Sequence, residues 1–425
     1  MEALIVGAGI GGLTAALSLH AGGIEPRIIE AAAEIRPLGV GINLLPHAVR
    51  ELTELGLGER LAGLAIATAE MIAVDRFGNR IRTEPRGLAA GYQWPQYSVH
   101  RGELQALLKD AVVERLGAGV LSTGTVLRGF TQDAGGVTAE VADRASGIVR
   151  TLRADVLIGA DGLHSAVRAR LHPAEGPPLW NGVRMWRGVV ETEPFLTGRS
   201  MVVAGNNTAA KFVAYPVSRR HEVRGRSLMN WVAEVRVRGG AVPVADWSRE
   251  GRLEDVLPGF RGWRFFGVDP CDLMSATRRI LEYPMVDRDP LPFWGTGRVT
   301  LLGDAAHPMY PIGSNGGSQA VIDARVLALE LARTADPAEG LAAYQAERLP
   351  KANAVALANR SIPMDRVLNL VAERAPDGFA DIADVLTAGE LDELAQAFRL
   401  TTGADAAALN SRASFAPPRS DLPAD

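Results

Sequence analysis

Residues 3–19, ALIVGAGIGGLTAALSL, place an apolar run before a glycine-rich turn, and the turn before apolar residues at helical spacing. This order predicts a strand, a phosphate-binding turn and a helix, the opening unit of a dinucleotide-binding fold. In such a unit the first glycine permits the tight turn, the second admits a pyrophosphate, and the last lets helix and strand pack closely. The predicted cofactor contacts in the turn are Gly7, Gly9, Ile10, Gly11 and Gly12.

A second predicted strand, residues 27–29, ends at Glu30, eighteen residues after Gly12. An acid at this distance is typical of a group that accepts hydrogen bonds from a ribose 2′-hydroxyl, and it would repel a 2′-phosphate. The pattern therefore predicts FAD or NAD beside Glu30 and Ala31, and it does not decide between the two. A glycine-rich loop without function is the competing interpretation.

Composition limits the class of protein. The 425 residues carry a formal net charge of -4, have room for two domains, and contain no basic block suited to nucleic acid or an anionic membrane. We therefore expect a small-molecule partner, with neither nucleic acid nor a membrane as partner. The single cysteine, Cys271, excludes an internal disulfide, and residues 3–19 lack the basic start of a signal peptide. A cytoplasmic monomer or homodimer is the expectation.

Two later segments repeat the pattern of an apolar strand followed by a polar turn. Residues 155–159 lead into Asp161-Gly162, and residues 298–302 lead into Gly303-Asp304. Together with the amino-terminal glycines, these segments resemble the three marks of the FAD-dependent aromatic monooxygenases of the para-hydroxybenzoate hydroxylase type. The resemblance covers residues 1–375. Within the family, residues 92–104 and 303–319 look most like the phenazine hydroxylases of the 5-methylphenazine-1-carboxylate 1-monooxygenase type.

The resemblance implies an α/β fold, in which a Rossmann-like FAD-binding domain is formed by residues 1–179 and 284–375. Strand-like runs between Trp180 and Tyr283 favour an inserted antiparallel β-sheet domain that binds substrate, residues 180–283. A helical segment and a mobile tail are expected over residues 376–425.

The stretch GDAAHPMYPIGSNGGSQA, residues 303–320, is implied to hold the flavin. By resemblance, Asp304 bonds the ribityl chain, and the helix start near Gly316 faces the negative charge of the reduced ring. Ser314 and Ser318 stand where the family usually has glycine and asparagine. Further FAD contacts implied by the resemblance are Val40, Gly41, Ile42, Arg101, Val126, Asp161, Pro311, Ile312, Gly313, Ser314, Asn315 and Gly316.

Some of these residues have structural alternatives. Arg101 could be a solvated residue at a helix start, and Arg168, which matches the Asp-Gly segment, could be a structural ion pair. His307 lies next to Asp304, where a positioning role is favoured over acid–base chemistry. On the predicted insert, an arginine with aromatic neighbours suits a planar ring, although aromatic residues on strands are usually core. The candidate substrate residues are Arg184, Tyr215 and Trp231.

The implied activity is that of a single-component monooxygenase. NADH or NADPH would reduce FAD as a transient donor, O2 would add at flavin C4a, and the hydroperoxide would hydroxylate an aromatic or heteroaromatic small molecule. The sequence shows no metal cluster, and no catalytic residue or general base can be named. Alternatives are N-oxygenation or epoxidation by the same intermediate, an NAD-binding dehydrogenase, or a flavin-binding protein without turnover.

Overall fold

The computed structural model describes residues 1–36, 39–237, 239, 249–360, 363–393 and 405–417. Within these ranges no helix combines the length and apolar character needed to cross a membrane.

The strands are β1 Glu2–Val6, β2 Glu25–Ile29, β3 Gly41–Leu44, β4 Ile66–Thr68, β5 Glu70–Val74, β6 Arg80–Pro85, β7 Gln96–His100, β8 Leu121–Ser122, β9 Thr125–Asp133, β10 Gly136–Asp143, β11 Val149–Ala154, β12 Val156–Gly159, β13 Leu179–Thr192, β14 Ser200–Gly205, β15 Ala210–Pro216, β16 Ser227–Arg236, β17 Leu281–Asp287 and β18 Val299–Leu301. The helices are α1 Ile10–Ala21, α2 Pro46–Glu54, α3 Gly58–Ala62, α4 Arg101–Leu116, α5 Ala166–Leu171, α6 Arg219–Glu222, α7 Leu253–Val256, α8 Pro270–Ser275, α9 Asn315–Ala332, α10 Pro337–Ala358, α11 Pro363–Arg374 and α12 Ala406–Ser411.

A parallel sheet in the order β18-β12-β1-β2-β8 forms the first layer. The central strands are mostly apolar because both faces of the sheet are covered, with helix α1 and strands β9, β10 and β11 packed against it. Residues 3–6 of β1 and residues 156–159 of β12 are all buried. Helices α1 and α9 pack together beside this sheet. The carboxyl ends of β1, β12 and β18 thus bring the glycine turn, Asp161 and Asp304 to one edge.

A larger, mixed sheet has the order β17-β13-β16-β15-β14-β5-β6. It includes the predicted insert but is not confined to residues 180–283. Strand β5 pairs in parallel with β14 and so covers that edge of the insert, whereas β17 remains an edge strand and continues to Asp287. Within the predicted insert, residues 238 and 240–248 lie outside the described residues.

The side chains of this larger sheet alternate between two separate cores, as the pleat requires. Met185, Val213 and Tyr215 belong to one core, and Trp186 and Trp231 belong to the other. Register therefore decides which residues can reach the flavin side of the sheet.

The carboxyl-terminal prediction was a helical segment followed by a mobile tail. Residues 405–417 pack against α2, where Arg50 Nη1 donates to the Leu409 carbonyl at 2.9 Å and Ser414 Oγ bonds Glu54 at 2.6 Å. These bonds place residues 405–417 on the surface of the FAD-binding domain. The predicted residues 394–404 and 418–425 lie outside the described residues.

Candidate active site

The glycine turn has the geometry that a phosphate site needs. Gly7 adopts a φ of 107°, and a Cβ on Gly12 would lie 2.0 Å from the Gly7 carbonyl oxygen, so neither position admits a side chain. A Cβ on Gly9 would meet nothing within 4 Å. Helix α1 begins at Ile10 without a side-chain cap, so its first N–H groups face open space.

Glu30 holds the same turn from the next strand. Its Oε2 accepts from the Ala8 amide and its Oε1 from the Ala32 amide, both at 2.8 Å. A carboxylate has further lone pairs, so these two bonds leave it able to accept from a ribose hydroxyl. Gln105, which sequence reasoning missed, donates from Nε2 to the Ala8 carbonyl at 2.8 Å.

Asp304 is the exposed residue in an otherwise buried stretch, residues 301–310. Its carboxylate is accessible from the cleft, but protein atoms around it displace part of its water. This desolvation raises the pKa of the carboxyl above its ordinary value, while His307 and Arg101 oppose the rise. Gly316 lies beside it, since a Cβ there would be 3.6 Å from Asp304 Oδ1.

The start of α9 is bare. Gly313 and Ser314 adopt left-handed φ angles of 73° and 62°, and no side chain caps the helix. Asn315 is buried and donates from Nδ2 to Asn359 Oδ1 at 3.0 Å. Ser318 Oγ accepts from the Leu45 amide at 3.0 Å, so it ties α9 to the segment after β3.

Arg168 joins the Asp-Gly and Gly-Asp segments. It is buried, pairs with Glu175, and donates from Nη1 to the carbonyls of Ala305 and Ala306 at 3.0 and 2.8 Å. Arg168 therefore forms a structural ion pair, which was the alternative to a cofactor contact. Asp161 accepts from Ser165 Oγ and, at 2.7 Å, from the Ala166 amide; burial nevertheless raises the pKa of its carboxyl.

His307 lies in a buried network behind Asp304. Its Nε2 is 2.5 Å from Asp323 Oδ2, which also accepts from the Gly303 amide at 3.1 Å. Arg348 Nε donates to Asp323 Oδ1 at 2.8 Å. Although burial raises the pKa of Asp323, His307 and Arg348 outweigh it and lower the pKa overall. The network fixes the backbone on which Asp304 stands.

The segment from Val40 to Ile42 is held between the two sheets. The Gly41 amide donates to Asn230 Oδ1 at 2.7 Å, and its carbonyl accepts from Tyr215 Oη at 3.0 Å and from Arg187. The Arg101 amide donates to the Val40 carbonyl at 2.9 Å, and its exposed side chain faces Asp304. Val126 lies in β9 opposite Ala142.

A cavity, partly open to solvent, lies between one face of the large sheet and the loop from Pro311 to Ser314. Tyr215 lines it. The structure contradicts the assignment of Arg184 and Trp231 to this cavity, because the pleat turns both away from it. Trp231 is fully buried in the opposite core and donates to Thr277 Oγ1 at 2.8 Å, and Arg184 pairs with Glu282 at 3.7 Å.

Sequence reasoning missed the charged residues of this cavity. Lys211 lies four residues before Tyr215 on β15, so a period of two from Tyr215 would have found it. Arg187, Glu234 and Asp365 come from three other elements and have no local sequence signal. The lining residues are Asn43, Leu45, Met71, Arg86, Gln96, Met185, Arg187, Met201, Val203, Lys211, Val213, Tyr215, Val232, Glu234, Pro311, Ile312, Gly313, Ser314 and Asp365.

These features fit FAD. The open space at Gly9 and the uncapped start of α1 suit a pyrophosphate, and the accessible carboxylate of Asp304 suits ribityl hydroxyls. The bare start of α9 offers N–H donors and a positive dipole end to a ring that gains negative charge on reduction.

Comparison with known proteins agrees with this geometry. The family model described as FAD binding domain matches residues 1–249 and 286–358. Phenazine 1,6-dicarboxylic acid hydroxylase PhzS of Lysobacter antibioticus is 52% identical over 362 residues, which cover 84% of this chain and 89% of the relative. The 3-hydroxybenzoate 6-hydroxylase 1 of Aquipseudomonas alcaligenes is 31% identical, over 82% and 85% of the two chains.

Solved structures show the same fold. HpxO of Klebsiella pneumoniae complexed with FAD and uric acid aligns with a TM-score of 0.73 and 25% identity, covering 95% of each chain. A salicylate hydroxylase substrate complex aligns with a TM-score of 0.70 and 25% identity, covering 97% of this chain and 98% of the other. The chain therefore belongs to the FAD binding domain family and is a flavin-dependent monooxygenase that hydroxylates aromatic compounds.

Proposed function

We propose that this monooxygenase hydroxylates a planar, carboxylated heteroaromatic compound of the phenazine type. The supporting observation is the cavity, whose thioether and aliphatic walls suit a flat ring system and whose buried charged groups suit polar substituents. The 52% identity with a phenazine 1,6-dicarboxylic acid hydroxylase points to the same class of substrate.

Within this proposal the cofactor occupies the cleft along the glycine turn, Glu30, Asp304 and the start of α9. Its proposed contacts are Gly7, Gly9, Ile10, Gly11, Gly12, Glu30, Ala31, Val40, Gly41, Ile42, Arg101, Val126, Asp161, Asp304, Pro311, Ile312, Gly313, Ser314, Asn315 and Gly316. When bound, FAD accepts electrons from NADH or NADPH and activates O2 for transfer of one oxygen atom to the ring.

The protein's own residues supply position and a dry environment. Arg168 and the network of His307 with Asp323 fix the backbone that presents Asp304. Tyr215 and Arg187 fix the Gly41 carbonyl between cleft and cavity. The apolar walls, which include Met71, exclude water from the ring face.

The test uses the FAD-loaded enzyme with NADH or NADPH, isotopically labelled O2 and phenazine carboxylic acids. We expect reductant oxidation stimulated by the substrate and a product that contains one labelled oxygen bonded to carbon, identified by mass and NMR. Label on a ring nitrogen would instead establish N-oxygenation. An unlabelled product, or no product while FAD is reduced, would refute the proposal.

The assembly and location of the enzyme are also proposals. We propose a monomer or homodimer in the cytoplasm, supported by the single free cysteine and the absence of a membrane-spanning helix among the described residues. Light scattering of the purified holoenzyme and cell fractionation test the two points separately.

A further inference from the structure

Three charged side chains meet in the wall of the cavity. Lys211 is 3% exposed, and its Nζ lies 2.9 Å from Glu234 Oε2 and 3.3 Å from Asp365 Oδ1. These are the two acceptors that the described part of the chain gives to the ammonium group. Because an ammonium has three hydrogens, one N–H is left for a molecule in the cavity.

The charges of this Lys211–Glu234–Asp365 cluster do not balance, since two carboxylates share one ammonium. Burial lowers the pKa of Lys211, but Glu234 and Asp365 outweigh it and raise the pKa overall, so the ammonium stays charged. Burial raises the pKa of Glu234 and Asp365 adds to the rise, against Lys211 and Arg187. The carboxyl of Glu234 is therefore easier to protonate than that of an exposed glutamate.

A purely structural role would explain only part of this arrangement. The pair of Lys211 with Asp365 does attach α11 to the large sheet. However, the cluster lies in the same cavity wall as Tyr215 and the loop from Pro311 to Ser314. Another buried acid of the sheet, Glu282, pairs with Arg184 on the opposite face, so it offers a matched comparison.

Building on the proposed heteroaromatic hydroxylation, we propose that Lys211 determines substrate specificity by donating a hydrogen bond to an acceptor of the bound ring compound. The acceptor is a ring nitrogen or a carboxylate oxygen. Glu234 and Asp365 hold the ammonium in place, and the charge on Glu234 adjusts how much negative charge the substrate can bring into a wall that also contains two arginines. The other charged groups that line the cavity are Arg86 and Arg187.

The first test measures dissociation constants of the FAD-loaded protein from the change in the flavin spectrum. The ligands are phenazine-1,6-dicarboxylate, phenazine and a naphthol that has neither a ring nitrogen nor a carboxylate. Lys211→Met should weaken dicarboxylate binding about tenfold and leave naphthol binding within about twofold. Lys351→Met, on the exposed face of α10, is the control.

The pattern of losses identifies the acceptor. A loss for the dicarboxylate alone supports the carboxylate, and a similar loss for phenazine supports the ring nitrogen. No loss for either ligand, or an equal loss for the naphthol, overturns the proposed role of Lys211.

The second test uses Glu234→Gln, which imitates the protonated carboxyl. The wild type should bind the dicarboxylate more weakly as pH rises through the pKa of Glu234, because the added charge repels the ligand. Glu234→Gln should remove that pH dependence and bind the dicarboxylate more tightly than the wild type at high pH. Glu282→Gln should behave as the wild type; an unchanged pH dependence in Glu234→Gln would contradict the inference.

These outcomes separate this inference from the proposed function. If the wild type binds none of the ring compounds, the proposed hydroxylation and the proposed role of Lys211 are both refuted. If the wild type binds and hydroxylates phenazine carboxylates while the Lys211 and Glu234 variants match it, only the specificity role falls.

Discussion

The flavin cleft and the cavity meet at the loop from Pro311 to Ser314, yet different parts of the chain build them. The cleft consists mainly of backbone: a glycine turn, two uncapped helix starts and carbonyls held by Arg168. The cavity consists of side chains at alternate positions of strands that are not consecutive in sequence. Adding a Cβ should therefore disrupt FAD binding in the cleft, whereas exchanging a side chain should disrupt substrate binding in the cavity.

The largest effect is expected from Gly12→Ala. The new Cβ would lie 2.0 Å from the Gly7 carbonyl oxygen, so strand and helix must separate, which should lower the free energy of unfolding by about 3 kcal/mol. Gly9→Ala meets nothing within 4 Å and should fold normally while binding FAD less tightly. Thermal unfolding of the FAD-free variants measures the effect on packing, and flavin absorbance measures the bound cofactor. Equal unfolding temperatures for Gly12→Ala and Gly9→Ala would contradict the packing argument.

Arg168→Met tests the connection between the two flavin segments. It leaves Glu175 without one partner and two carbonyls without a donor, which should lower the free energy of unfolding by about 2 kcal/mol. Glu175 retains Arg288, so the loss stays moderate. Arg170→Met, on the exposed side of α5, is the control, measured by denaturant unfolding and FAD affinity. Unchanged FAD affinity in Arg168→Met would show that the bonds from Arg168 to the two carbonyls do not help to position Asp304.

Asp304→Ala should act on the cofactor and not on the fold. Loss of a charged acceptor should weaken FAD binding about tenfold. Because the pKa of Asp304 is raised in the folded protein, its ionised form is costly at neutral pH, and the FAD-free variant should unfold at the same or a higher temperature. Asp110→Ala, on the exposed face of α4, is the control. Full retention of bound flavin would remove Asp304 from the site.

The smallest effects compare the two faces of the large sheet. Tyr215→Phe loses the bond to the Gly41 carbonyl and should reduce kcat/KM about fivefold. Arg184 faces away from the cavity, so Arg184→Ala should leave KM unchanged. Steady-state kinetics decide: a raised KM in Arg184→Ala would contradict the register of β13.

The same contrast explains what the sequence could predict. The glycine turn and Glu30 are local signals whose chemistry follows from their spacing, whereas the role of Asp304 and the full fold class came from the family resemblance. The outcome for Arg184 and Trp231 depended on register, since a shift of one residue moves a side chain to the other face. Lys211, Glu234 and Asp365 were missed because their meeting depends on strand order and on the docking of α11.

Asp365 also bears on how such an enzyme could be modified. It lies on α11, beyond residue 358 where the match to the family model ends, and Val367 and Leu368 of the same helix pack into the core of the large sheet. The wall of the proposed substrate cavity is thus partly supplied by a helix that lies outside the match to the family model. Exchanging that helix offers a route to altered ring selectivity in which the redox half of the molecule is left as it is.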